Sequence, residues 1–156
     1  MSNQSAFLDM IAWSEIGPKL LSVSDNGFNV LVGSTSEKPL LFFNYDDHPR
    51  ILNKQLNSTA AGRYQLLAHW FDAYKGYLHL PDFSPDSQNA IALQQMKERG
   101  ALDDIDGGNL QLAIAKCSNI WASLPGAGYG QHENALDDLT AAFVAAGGTL
   151  APVADA

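Results

Sequence analysis

What most constrains this chain is a change of apolar rhythm near residue 61. Before it, Val23, Phe28, Val30, Val32, Leu41, Phe43 and Tyr45 alternate with other residues, and Asp25-Asn26-Gly27 is a hairpin signal. After it, apolar residues recur at spacings of three and four, as in Tyr64-Gln-Leu-Leu-Ala-His-Trp-Phe-Asp-Ala-Tyr. The first rhythm suits a strand with one buried face and the second a helix with one buried stripe. The expectation is an α+β fold, with a small β-rich lobe over about 16–60 and a larger helical lobe over about 61–148. A cleft between the lobes is expected, and 149–156 reads as a loose tail.

Local signals refine this. Ser5 is placed to cap a first helix that carries Phe7, Leu8, Met10, Ile11 and Ala12 towards Glu15. Ser84-Pro85-Asp86 joins a capping serine to a proline at the first helical position, and that helix runs to Gly100 through Ile91, Leu93 and Met96. Shorter helical segments follow at 109–116 and 120–124. A final amphipathic helix over 132–146 stops at Gly147-Gly148.

Composition narrows the function. At 156 residues, 46% hydrophobic and 17% charged, the chain can build one domain with a real core. Nine Lys and Arg against seventeen Asp and Glu leave a net charge of −8, which argues against nucleic acid because no basic surplus faces the phosphates. The single cysteine, Cys117, forms no intrachain disulfide, suits a reducing cytoplasm, and reads as a core thiol among apolar neighbours. No apolar run approaches the roughly 20 residues that span a bilayer. The opening Met-Ser-Asn-Gln-Ser has neither a basic segment nor a hydrophobic signal core. A substrate beyond the inner membrane would therefore need another protein to open the way.

Few residues carry chemistry. Glu15 lies four and seven residues after Ile11 and Leu8, so it projects from the apolar stripe of the first helix. Partial desolvation disfavours an ionised carboxylate, which is what a general acid near neutral pH needs. The bland alternative is a frayed helix end reaching water. Gly62-Arg63-Tyr64-Gln65 reads as a helix opening whose backbone donors and Gln65 amide can grip a sugar, or as an ordinary helix start. Pro125-Gly126-Ala127-Gly128-Tyr129-Gly130 allows close backbone approach around one aromatic, or is a hinge. Asp46-Asp47-His48-Pro49-Arg50 either lines a cleft or is a solvated turn. Asp104-Ile-Asp106-Gly107 lacks most ligand positions of a calcium loop. His48, His69, His79 and His132 show no zinc spacing.

Taken in order, several stretches resemble the lambda-type phage endolysins, lytic transglycosylases with a lysozyme-like fold. They are Ala6-Phe-Leu-Asp-Met-Ile-Ala-Trp-Ser-Glu15, Asp47-His-Pro-Arg50, Ala61-Gly-Arg-Tyr-Gln-Leu-Leu67 and Asp82-Phe-Ser-Pro85. Further on come Ala92-Leu-Gln-Gln-Met-Lys-Glu-Arg-Gly-Ala-Leu102 and Cys117-Ser-Asn-Ile-Trp-Ala-Ser-Leu-Pro-Gly-Ala-Gly-Tyr-Gly-Gln131. The resemblance implies a sheet lobe, a helical lobe and a glycan-binding groove between them. It implies Glu15 as the catalytic acid, with Ser14, His48, Arg63, Tyr64, Gln65, Gly128 and Tyr129 as substrate contacts. It implies peptidoglycan glycan strands as partner, no cofactor or metal, no nucleic acid, no membrane insertion, and a monomer. Such an enzyme waits in the host cytoplasm until a holin permeabilises the membrane, then acts in the periplasm. The chain departs from the family in reading Glu15-Ile16-Gly17-Pro18 where Glu-Gly-Thr is common, in its apolar Leu20-Leu21, and in being acidic.

Three rivals stand beside this reading. A hydrolytic muramidase cleaving the same bond needs a second carboxylate, for which Asp25 is the candidate, although its place in a turn signal also explains it. A zinc amidase would need histidine and Cys117 ligands that the spacing does not supply. A wall-binding module without catalysis would leave Glu15 unexplained.

Overall fold

The computed structural model describes residues 2–126 and 133–152. It contains α1 (Asn3–Glu15), α2 (Pro18–Ser22), α3 (Ala68–Leu78), α4 (Pro85–Glu98), α5 (Leu102–Asp106), α6 (Leu110–Cys117) and α7 (Leu136–Ala145). The chain divides into two compact units, Met1–Ser14 with Leu93–Ala156, and Glu15–Ala92.

In the first unit, Ser2 rather than Ser5 caps α1. The Ser5 backbone N–H donates to Ser2 Oγ (3.1 Å) and that of Ala6 to the Ser2 carbonyl (3.1 Å). The cap thus sits one turn earlier than expected, and Ser5 lies inside the helix. Ala6, Phe7, Leu8, Met10, Ile11 and Ala12 are all buried. At 3.6 residues per turn they cover an arc of about 240°, far wider than a single stripe. The core of this unit also holds Met96, Ile105, Ile114, Cys117, Leu124, Leu139 and Phe143.

Several expectations for this unit shift. The 120–124 segment is a pair of turns rather than a helix, closed by Ile120 N–H to the Cys117 carbonyl (3.0 Å) and Leu124 N–H to the Trp121 carbonyl (3.1 Å). Helix α5 was not anticipated, and α7 begins at Leu136. The start of the supposed tail is pinned. Asn3 Nδ2 donates to the Thr149 carbonyl (3.0 Å), Thr149 N–H returns to Asn3 Oδ1 (2.9 Å), and Ala151 N–H donates to the Gly108 carbonyl (3.0 Å). Gly108 permits that approach: its φ is 77°, and a Cβ there would stand 2.4 Å from the Ala151 nitrogen.

The second unit corrects the expected β-rich lobe. Among its described residues there is no extended strand, only the isolated antiparallel bridges Val30–Leu41, Leu31–Ala61, Asn53–Ser58 and Ala61–Leu66. Alternating apolar residues are present, but Asn26, Gly27, Gly33, Arg50, Asn57, Gly62 and Gln65 all have positive φ. Each such residue turns the chain before a ladder extends. The Asp25 signal does make its tight turn, with Phe28 N–H on the Asp25 carbonyl (2.9 Å) and φ of 48° and 85° at Asn26 and Gly27. It is preceded by α2, whose Pro18 at the first turn went unread as a helix start. The core of this unit packs Phe42, Ala61, Leu66, Phe71, Phe83 and Ile91, with Tyr45 and Tyr74 against them.

Helix α4 matches its signal. Pro85 opens it, Ser87 N–H approaches Ser84 Oγ (3.5 Å), and Asp82 Oδ1 accepts from Ser84 N–H (3.0 Å) and Ser87 Oγ (2.8 Å). These donors hold the Asp82 carboxyl below its usual range.

Candidate active site

Glu15 is the last residue of α1 and is half-buried. On a helical wheel it falls between Ile11 and Leu8, inside the buried arc rather than opposite it. Glu15 is therefore a carboxyl group on an apolar helix face whose end is only partly solvated.

Ser14 is tied to the segments on either side of the glycine-rich motif. Its hydroxyl lies 2.7 Å from Ser123 Oγ and accepts from Asn134 Nδ2 at 2.9 Å. Asn134 N–H donates to the Ser123 carbonyl (2.8 Å), and Gly126 N–H donates to the Glu133 carboxylate (3.1 Å). Gly128 and Tyr129 themselves lie outside the described residues. The residues that flank them, Ser123 and Asn134, were not singled out from sequence. Two lone polar side chains separated by a glycine-rich run carry no local signal for each other.

The Gly62–Gln65 motif is not a helix opening. It is a tight turn between the paired residues Ala61 and Leu66, with Gln65 N–H on the Gly62 carbonyl (3.2 Å), and α3 begins only at Ala68. Arg63 is 6% exposed, so its guanidinium is committed inward. Its Nε donates to the Asn26 carbonyl (3.0 Å), an Nη donates to the Tyr64 hydroxyl (3.0 Å), and the group lies 5.2 Å from the Phe28 ring centre. Tyr64 is buried and donates to Asn89 Oδ1, while Gln65 Nε2 donates to the Gly62 carbonyl (2.8 Å) and the Val30 carbonyl (3.3 Å).

Gln88 holds this turn, and sequence reasoning missed it. It is 4% exposed; its Oε1 accepts the Arg63 N–H (2.9 Å), and its Nε2 donates to the Phe28 (3.1 Å) and Phe83 (2.9 Å) carbonyls. A Cβ on Gly62 would stand 2.4 Å from Gln88 Oε1, which explains that glycine. The available signal was the position of Gln88, three and four residues before Ile91 and Ala92 on the inner face of α4. The motif thus sets the shape of its surroundings more than it offers free donors.

His48 is likewise internal, at 2% exposure. Its Nδ1 accepts the Arg50 N–H (2.9 Å), which leaves Nε2 as the donor to the Leu66 carbonyl (2.8 Å) in the neutral ring. Burial holds the ring below its ordinary pKa, and the ring packs on Phe83 (4.9 Å) and Phe71 (5.9 Å). His48 therefore ties its loop to Leu66, with its ring buried among aromatic side chains. Arg50 bridges Asp47 (2.9 Å) and Asp72 and draws both carboxyls below their usual range. Asp25 is exposed, and its Oδ2 accepts the Tyr45 hydroxyl at 2.6 Å. Desolvation and that carboxylate push the phenol pKa upward. Cys117 is a buried thiol pushed up to about 12 by burial, as its apolar setting suggested. Among the described residues, no three His, Cys, Asp or Glu side chains gather as a metal-binding group.

Residues 5–150 match the family model for Endolysin, and the chain belongs to that family. It is 55% identical to the endolysin of Escherichia phage lambda, over 96% of this chain and 94% of that protein. It is 46% identical to the endolysin of Escherichia phage P2, over 96% and 95%. The fold matches bacteriophage lambda lysozyme complexed with a chitohexasaccharide, with a TM-score of 0.87 and 55% identity, covering 96% of this chain and 97% of that one. A second structure of lysozyme from bacteriophage lambda matches at a TM-score of 0.78 and 52% identity, with the same coverage. The fold is lysozyme-like, although residues 16–60 build it from α2, turns and single bridges.

Proposed function

We propose that this chain degrades host peptidoglycan for cell lysis, cleaving the β-1,4 bond between N-acetylmuramic acid and N-acetylglucosamine as a lytic transglycosylase. The observation that carries the reading is the place of Glu15, half-buried at the end of α1 in a chain of the Endolysin family. The neutral Glu15 carboxyl donates its proton to the glycosidic oxygen as the bond from muramoyl C1 breaks, and the N-acetylglucosamine side leaves with a hydroxyl. Positive charge develops at C1. The C6 hydroxyl of the same muramoyl ring attacks it, and the Glu15 carboxylate takes the hydroxyl proton. The product is a 1,6-anhydro sugar, no water is consumed, and Glu15 returns to its starting state. Attack within one ring carries the proximity advantage of an intramolecular reaction.

The rival hydrolysis would use Asp25 as a second carboxylate. Its bond from Tyr45 and its place at the head of a tight turn support an anchoring role instead. By the proposed reading the enzyme works as a monomer without cofactor, held in the host cytoplasm until a holin opens the membrane to the periplasm.

Mass analysis of digested sacculi tests the mechanism. Anhydro-muropeptides are expected, with Glu15→Gln losing at least about a hundredfold in rate, the range typical of a removed general acid. Products one water heavier would replace the transglycosylase with a hydrolase. Lysis retained by Glu15→Gln would remove Glu15 from the chemistry.

A further inference from the structure

The residue after Glu15 opens a pocket. An accessible cavity of about 310 Å³ is walled by Ile16, Pro18 and Leu20, and its polar lining includes Lys19, Ser34 and Thr35. That lining is built to donate. Ser34 Oγ already accepts the Leu40 N–H (2.7 Å) and Thr35 Oγ1 the Lys38 N–H (3.0 Å), so each hydroxyl keeps its own proton for an outside acceptor. Lys19 is exposed and makes no ion pair among the described residues. No carboxylate lines the cavity, in a chain whose net charge is −8.

We infer that this pocket receives the acidic peptide stem carried by the muramoyl sugar, and so sets a preference for peptide-bearing glycan. The inference rests on the function proposed above and names a substrate feature that function does not require. The lactyl ether at C3 hangs from the same ring whose C1–oxygen bond breaks, so a pocket for it must lie within a sugar's width of the acid. Ile16 follows Glu15 directly and satisfies that condition. The lactyl methyl and a first alanine side chain suit the Ile16, Pro18 and Leu20 wall. A stem carboxylate suits Lys19 and the two hydroxyls, as an anion accepts from donors alone.

The test compares kcat/KM of the full chain on glycan strands bearing peptide stems and on the same strands stripped of stems by an amidase. Wild type should favour peptide-bearing strands by about two- to fivefold, the range of one partly exposed charge pair. Lys19→Glu should bring that ratio to one or below. The matched change Lys97→Glu on the exposed surface of α4 should keep it. Lys19 is exposed, so the variant should melt with wild type. Equal rates on both substrates by wild type, or an unchanged ratio in Lys19→Glu, would overturn the pocket's role while glycan cleavage stands. Cleavage of neither strand would instead refute the proposed function, and the pocket's role with it.

Discussion

The two compact units of this chain hold their backbones by different means. The first is helical, and its buried residues, such as Phe7, Ile11, Ile114 and Leu139, lie on helices that satisfy their own backbone groups. The second has 45 residues between α2 and α3, from Val23 to Leu67, with no helix and only isolated bridges. There the single bridges are supplemented by side chains that bond backbone groups elsewhere in the unit. Gln88 holds Phe28, Arg63 and Phe83; Arg63 holds Asn26; His48 holds Leu66. Apolar packing can tolerate a substitution of similar volume. A single buried amide bonded to three backbone groups cannot be exchanged so freely. Stability should therefore depend on a few polar residues in one unit and on bulk apolar volume in the other.

The sharpest way to break this contrast is Gln88→Ala. It would orphan the Arg63 N–H and the Phe28 and Phe83 carbonyls, at a cost of about 3 kcal/mol. For a chain of this size that lowers Tm by roughly 6–12 °C. Truncating a buried leucine of the first unit, Leu139→Ala, falls in the range of about 2–5 kcal/mol. One polar residue should thus match one core residue in a calorimetric melt. A loss below about 1 kcal/mol, no more than a single net hydrogen bond, would show that the turn is held by packing after all.

That contrast also explains what could be read from residue order. Helix α4 was legible because Ser84-Pro85 and the three-and-four spacing act within a few residues. Glu15 was legible for the same reason, from Leu8 and Ile11 on its own helix. The misread stretch carried genuine alternation at Val30, Val32, Leu41 and Phe43. Its outcome was decided by backbone turns at Gly33, Asn57 and Gly62, and by partners as remote as Gln88. The helical reading of Gly62–Gln65 failed similarly. Leu66 pairs with Ala61, which closes a turn before α3 can start. For the candidate site, the place of Glu15 at the end of an apolar helix was visible, whereas the inward commitment of Arg63, Tyr64 and His48 was not. Identity alone does not reveal which way a side chain turns.

A pH series sharpens the comparison further. Burial lowers the His48 pKa in the folded chain beneath its ordinary 6.5. The unfolded chain then binds that proton more readily, so stability is full above about pH 6.5 and falls as pH drops towards the folded value. Asp47 and Asp72, lowered mainly by hydrogen bonds from Arg50, add a separate loss below their ordinary 3.8. Replacing the histidine with His48→Phe keeps an aromatic ring against Phe71 and Phe83 but cannot titrate. Denaturant midpoints of this variant should start lower at pH 7 yet decline less between pH 6.5 and 5. Parallel slopes in wild type and variant would place the acid sensitivity elsewhere.

The smallest effect tests the first unit, where two serines three residues apart should respond with opposite signs. Ser2 Oγ accepts the Ser5 N–H at the head of α1, so Ser2→Ala removes a cap and should cost about 1 kcal/mol. Ser5 sits one turn inside the helix. Alanine there has the better helical propensity, so Ser5→Ala should change stability by only a few tenths of a kcal/mol, in the stabilising direction. Equal losses in a urea titration would mean that α1 frays to Ser5, the start expected from sequence. Opposite signs would place the cap at Ser2, where its hydroxyl meets the third N–H of α1. The start of α1 would then rest on helix chemistry contained within one turn, while the turns of the second unit depend on residues as far as sixty positions apart, as Gln88 and Phe28 are.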